Sequence, residues 1–159
     1  MPLVSVIRGV GNKIYQHAFP IYRLCYRGFK AYTDHAERRL LTTILSAGDV
    51  VVDAGANIGI YSEFLARRVG PTGVVNSFEP SPKNFERLQS ATRKLSNVRV
   101  CQAGVGERSG RSMLYLSNKL NVDHRTYMTE GDSRSGVPID IVALDDYFEP
   151  GQRVDLIKM

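Results

Sequence analysis

Apolar residues run along this chain in two rhythms, and the switching between them predicts its elements. Val50-Val51-Val52 is an unbroken β-branched run after the polar turn Ala47-Gly48-Asp49, the pattern of a strand buried on both faces of a parallel sheet. The period then lengthens: Ile60, Phe64, Leu65 and Val69 recur at helical spacing. A Gly70-Pro71-Thr72-Gly73 turn leads to a second strand over residues 74–78, and Phe85, Leu88, Ala91 and Leu95 mark the inward face of the next helix. Residues 97–101 alternate as a third strand, and residues 154–159 form a fourth parallel strand beside the first. An additional strand is expected over residues 112–116, and residues 137–144 lead into a short helix at Asp145. The sum is an α/β fold, Rossmann-like, with an incomplete parallel sheet in the order 3-2-1-4.

Two helical patterns precede the first strand. Leu40, Leu41, Ile44 and Leu45 form an apolar face, with Thr33 or Asp34 as N-cap, Glu37 completing a capping box and Gly48 as the stop. Further upstream Tyr15, Phe19, Tyr22, Tyr26 and Phe29 advance by 4, 3, 4 and 3 residues, one aromatic stripe that Pro20 kinks or restarts.

Composition changes this picture little, and charge changes it more. With 159 residues, 43% hydrophobic and 23% charged, the chain is large enough for one core and too apolar for wholesale disorder. No apolar run approaches the ~20 residues of a membrane span, nor the ~7–15 of a signal-peptide core. Cys25 and Cys101 lack the spacing of a disulfide framework or zinc site, so reduced thiols in a cytoplasmic protein are expected, and no metal-ligand cluster stands out. All sixteen acids lie at Asp34 or later, whereas Arg8, Lys13, Arg23, Arg27 and Lys30 precede it, so the whole +5 charge sits in residues 1–33. Residues 1–33 therefore read as a basic aromatic helical extension of a domain over residues 34–159. Its stripe either lies on a membrane surface or anionic partner, or packs onto the α/β domain or a second subunit in a homo-oligomer.

The turn after the first strand carries the chemistry. Dinucleotide folds place G-x-G-x-x-G against a pyrophosphate. Here Asp53-x-Gly55-x-x-x-Gly59 sets a carboxylate at the strand end, and unit charges ~4 Å apart interact by about 4 kcal/mol in a partly desolvated cleft. That disfavours a dinucleotide-dependent oxidoreductase and suits a cationic ligand such as the ammonium and sulfonium of S-adenosylmethionine. Gly55 and Gly59 allow close backbone approach to the ligand and close helix–strand packing. Asn57 either offers its amide to the ligand carboxylate or caps the following helix. Glu79, at the end of the second strand, either binds a ribose diol or caps the helix that starts near Ser81 and Pro82. In the polar stretch of residues 117–136, His124 is either a general base for an acceptor hydroxyl or an exposed surface histidine.

Asp53-Ala54-Gly55-Ala56-Asn57-Ile58-Gly59 resembles the first cofactor motif of the FkbM family of S-adenosylmethionine-dependent methyltransferases. The resemblance continues through Phe78-Glu79-Pro80-Ser81-Pro82, Gln102-Ala103-Gly104-Val105-Gly106, Leu144-Asp145-Asp146-Tyr147 and residues 154–159, five motifs in order. It implies a class I methyltransferase fold with Ala56 in the cofactor loop and Gln102 and Ala103 along the adenine. It also implies methyl transfer to a hydroxyl of a sugar or polyketide-like small molecule. In the family the Ile157-Lys158-Met159 strand runs on into an acid and a turn near the methyl group. The chain is thus expected to be a fragment whose fourth core strand is truncated, with weak or absent activity and a tendency to aggregate. A non-catalytic cofactor-binding or interaction module is the alternative. A nucleic-acid partner is not expected, because the basic extension lacks a sustained Lys/Arg patch.

Overall fold

The structure, a computed structural model, describes residues 14–15, 17–116 and 135–159. In chain order the elements are α1 (Phe19–Thr33), α2 (His35–Ile44), β1 (Val50–Ala54), α3 (Ile60–Val69), β2 (Val74–Phe78), α4 (Pro82–Thr92), β3 (Val98–Cys101), β4 (Gly104–Val105), β5 (Gly110–Leu116), β6 (Ser135–Val142), α5 (Leu144–Tyr147) and β7 (Leu156–Lys158).

Among the described residues the main sheet has the order β3-β2-β1-β7, parallel throughout, which is the expected 3-2-1-4. Register follows the pleat. Val51 pairs with Val75 and Leu156, and Asp53 pairs with Ser77 and Lys158. Val51 and Val75 point to one face and pack with Leu41 and Leu45 of α2 and Tyr61, Leu65, Ala66 and Val69 of α3. Asn76 and Phe78 have the opposite parity. They meet Tyr147 of α5, whose ring lies 4.9 Å from that of Phe78 and whose hydroxyl donates to Asn76 Oδ1. A second sheet, β4-β6-β5, joins β5 and β6 as an antiparallel ribbon with the short β4 parallel to β6. The additional strand expected from sequence is therefore half of a pairing that spans the undescribed stretch.

Helix α1 starts at Phe19 with Pro20 in its first turn, where the missing N–H costs nothing, so the proline restarts the helix rather than breaking it. Its aromatic stripe packs inward: Tyr15 is buried against Ile58 and Ile60, with Phe19, Tyr22 and Tyr26 around it. Arg87 of α4 stacks over the Tyr15 and Phe19 rings at 3.5 and 3.9 Å and donates to the Tyr15 carbonyl. Phe29 leaves the stripe and is 60% exposed.

The start of α2 differs from the capping box read in the sequence. No side chain caps it. Asp34 turns away to the neighbouring elements, accepting from the Tyr61 hydroxyl of α3 at 2.9 Å and pairing with Lys30 of α1 at 2.5 Å. On the expected apolar face Leu41 and Leu45 are buried, while Leu40 and Ile44 are exposed at the outer side of the helix.

Candidate functional site

The site forms where β1 ends. Gly55 takes φ 73°, Asn57 φ 53° and Gly59 φ 81°, so three residues of the turn lie in left-handed backbone that favours Gly and Asn. The two glycines do different work. A Cβ on Gly55 would meet nothing within 4 Å, so its bare backbone faces open space; a Cβ on Gly59 would come 3.1 Å from Leu88 and 3.3 Å from Ala91. Gly59 lets α3 and α4 pack closely.

A cleft of about 240 Å³ opens over this turn. Gly55, Ala56, Asn57 and Ile58 form its floor, Tyr61 and Lys158 its side, and Tyr26, Lys30, Asp34 and Glu37 its roof. The roof comes from the N-terminal helices, so the extension is part of the site.

Asp53 lies beneath the floor. It is fully buried, accepts from Ser62 Oγ at 2.7 Å and faces Lys158 Nζ at 3.4 Å, as the β1–β7 register requires. Burial pushes its carboxyl up, against the pull of Lys158 and the Ser62 hydrogen bond. The acid read in the sequence as facing a cationic ligand has a lysine of its own sheet as its neighbour here. Lys158 also lies 4.8 Å from the Tyr61 ring, within reach of its π face.

Glu79 is buried as well. It accepts from the Asn57 N–H at 2.8 Å and the Ser81 N–H at 2.9 Å, tying the turn after β1 to the start of α4. Burial raises its pKa, offset by those backbone donors and Asn84. Both oxygens keep further acceptor capacity. Neither Glu79 nor Gln102 nor Ala103 lines the cleft; Gln102 is exposed after β3 and Ala103 is buried. His124 lies outside the described residues. Among the described residues no cluster of His, Cys, Asp or Glu is arranged to hold a metal.

Asn57 is the informative residue. It does not cap α3, whose N-cap is Gly59 without a side-chain bond. Its Oδ1 is buried without a hydrogen-bond partner. A buried unmatched acceptor costs roughly 1–3 kcal/mol, so its presence beside an open glycine backbone marks a place for a donor.

Sequence reading passed over the roof. Tyr26 and Lys30 carry no motif, and Asp34 and Glu37 resemble ordinary capping residues. Lys158 had one legible signal, since aligning residues 156–158 beside residues 51–53 sets it against Asp53.

Strand, glycine turn, helix and an acid ending the second strand define a Rossmann-like nucleotide-binding domain. The chain belongs to the Methyltransferase FkbM domain family, whose family model matches residues 53–159, 107 of the 159 residues. It is 42% identical over 67 residues to the 31-O-demethyl-FK506 methyltransferase FkbM of Streptomyces tacrolimicus, covering 42% of this chain and 25% of that protein. It is 36% identical over 76 residues to the tRNA (adenine(58)-N(1))-methyltransferase catalytic subunit TRM61 of Cryptococcus neoformans var. neoformans serotype D, covering 43% of this chain and 18% of that protein. The FkbM methyltransferase structure from Methylobacillus flagellatus KT aligns at a TM-score of 0.49 and 24% identity, covering 72% of this chain and 26% of that one. The chain thus spans a quarter or less of the two curated relatives.

Proposed function

We propose that the cleft binds S-adenosylmethionine and that the chain supports methyl transfer to a hydroxyl of a small molecule, a sugar or polyketide-like metabolite. The observation that carries this reading is the unmatched Asn57 Oδ1 beside the open backbone of Gly55. That oxygen accepts, so it suits the ammonium or a hydroxyl of the cofactor rather than its carboxylate. The cleft wall mixes signs, with Asp34 and Glu37 against Lys30 and Lys158, as a zwitterionic amino-acid end requires. Lys30 is already paired with Asp34 and Lys158 with Asp53. Among the described residues Glu37 forms no ion pair; it stands exposed at the rim and accepts from the Tyr61 hydroxyl, keeping lone pairs that an ammonium could share.

The bound cofactor would supply an electrophilic methyl group. The chain's part is positioning: Gly55–Ile58 set the floor, and Glu79 fixes that floor through the Asn57 N–H. Holding the acceptor oxygen in line supplies most of the rate, and His124 is proposed to take the hydroxyl proton.

Isothermal calorimetry tests the reading. S-adenosylhomocysteine is expected to bind and raise Tm, while nicotinamide dinucleotides leave both unchanged. The reverse pattern would overturn it, and binding without turnover on any hydroxyl acceptor would leave an interaction module. The match to the tRNA methyltransferase favours a second reading, nucleic acid as acceptor; methyl incorporation into tRNA but not into small hydroxyl compounds would select it.

A further inference from the structure

With its aromatic stripe turned inward, α1 presents a second face to solvent. Ile21, Leu24, Phe29 and Tyr32 are 60, 72, 60 and 83% exposed. At 100° per residue they fall within an arc of about 140°, opposite Tyr26 and Lys30. This is a helix apolar on both sides, and one side is exposed among the described residues.

Beside the bare stripe runs a basic groove of about 460 Å³ between α1 and α4. Leu24 sits on its lip, and Arg23, Arg27, Arg87, Arg93 and Lys94 line it. Arg23 is paired with Glu63 at 2.6 Å and Arg87 is held by the Tyr15 carbonyl. Arg27, Arg93 and Lys94 form no ion pair among the described residues and are exposed. Residues 1–33 carry five cations and no acid.

We propose that this face docks on an anionic lipid bilayer, with the stripe at the headgroup–acyl boundary and Arg27, Arg93 and Lys94 on lipid phosphates. The exposed apolar side chains of α1, flanked by Arg27 on the same helix and by Arg93 and Lys94 at the end of α4, make an amphipathic surface of the interfacial kind. No helix among the described residues is long and apolar enough to cross a membrane, so the contact is a surface one. A second copy fits poorly, because a two-fold pairing of this face sets Arg27 and its neighbours near their own copies. The apolar stripe precedes residue 53, where the family match begins, while Arg93 and Lys94 lie within the matched part. Of the aromatic stripe that suggested a membrane in the sequence only Phe29 belongs to this contact; Tyr15, Phe19, Tyr22 and Tyr26 are turned inward.

Co-sedimentation of the full chain with vesicles tests this. Binding is expected to vesicles of phosphatidylcholine mixed with phosphatidylglycerol, with little to phosphatidylcholine alone, and release at high salt. Arg27→Ala and Lys94→Ala should each weaken it about five-fold. L24E combined with F29E should abolish it, and since both side chains are exposed, the circular dichroism of this variant should match the parent. Absence of binding to the anionic vesicles, equal binding to neutral ones, or binding indifferent to these variants would overturn the proposal. So would a dimer in solution that L24E/F29E dissolves, which would assign the stripe to a second copy.

Discussion

At Asn57 the backbone and the side chain can be tested apart. Glycine adopts φ 53° as readily as asparagine, so Asn57→Gly keeps the turn and its N–H bond to Glu79 while deleting the unmatched oxygen. Affinity for S-adenosylhomocysteine, measured by calorimetry, should fall about ten-fold, the worth of one hydrogen bond to a charged donor. Asp53 makes the opposite case, a motif residue whose partner lies inside the protein. Lys158→Met leaves that buried carboxylate unpaired and should destabilise the chain by about 3 kcal/mol in chemical denaturation. Adding Asp53→Asn should restore most of the loss, because the amide oxygen still accepts from Ser62. The sequence made the acid visible but not its burial: one residue earlier or later in register, Lys158 would face elsewhere, and pairing register is a tertiary fact.

The helices before β1 act as elements through one polar knot. Although burial pushes the Asp34 carboxyl up, hydrogen bonds from Lys30, Thr33 and Tyr61 together hold it at about 2. A folded value below the usual ~3.9 means stability that is present above pH ~4 and lost as pH falls toward about 2. Asp53 and Glu79 have the other sign. Their folded values are raised, so the native state holds their protons more tightly and stability climbs as pH drops from above those values toward ~4. Stability should therefore peak under mildly acid conditions and collapse below pH ~4, and tyrosine near-ultraviolet circular dichroism should report α1 loosening in that lower limb. Asp34→Asn should flatten it. Which helices exist was legible, since residues 60–69 and 82–92 carry clear periodicity. Which way they face was less so: the α1 stripe gave its inner side correctly as far as Tyr26. Leu40 and Ile44 misled because a helix packed on one neighbour buries one column of its apolar arc and leaves the next in water.

Across the whole molecule, the strand order followed from short right-handed crossovers around a Val-rich first strand, which few alternatives satisfy. The β5–β6 ribbon was not foreseeable, because the stretch between its strands, residues 117–134, shows no turn signal short enough to announce a hairpin. The roof of the cleft was hidden for a related reason: nothing local in Tyr26 or Lys30 tells that the chain folds back over its own glycine turn. That return has a consequence. Helix α1 touches the cleft with Tyr26 and Lys30 and meets the outside with Leu24 and Phe29. Two occupants gripping opposite sides of one rod cannot ignore each other: by reciprocity, whatever factor a surface lends to affinity in the cleft, the cleft returns to the surface.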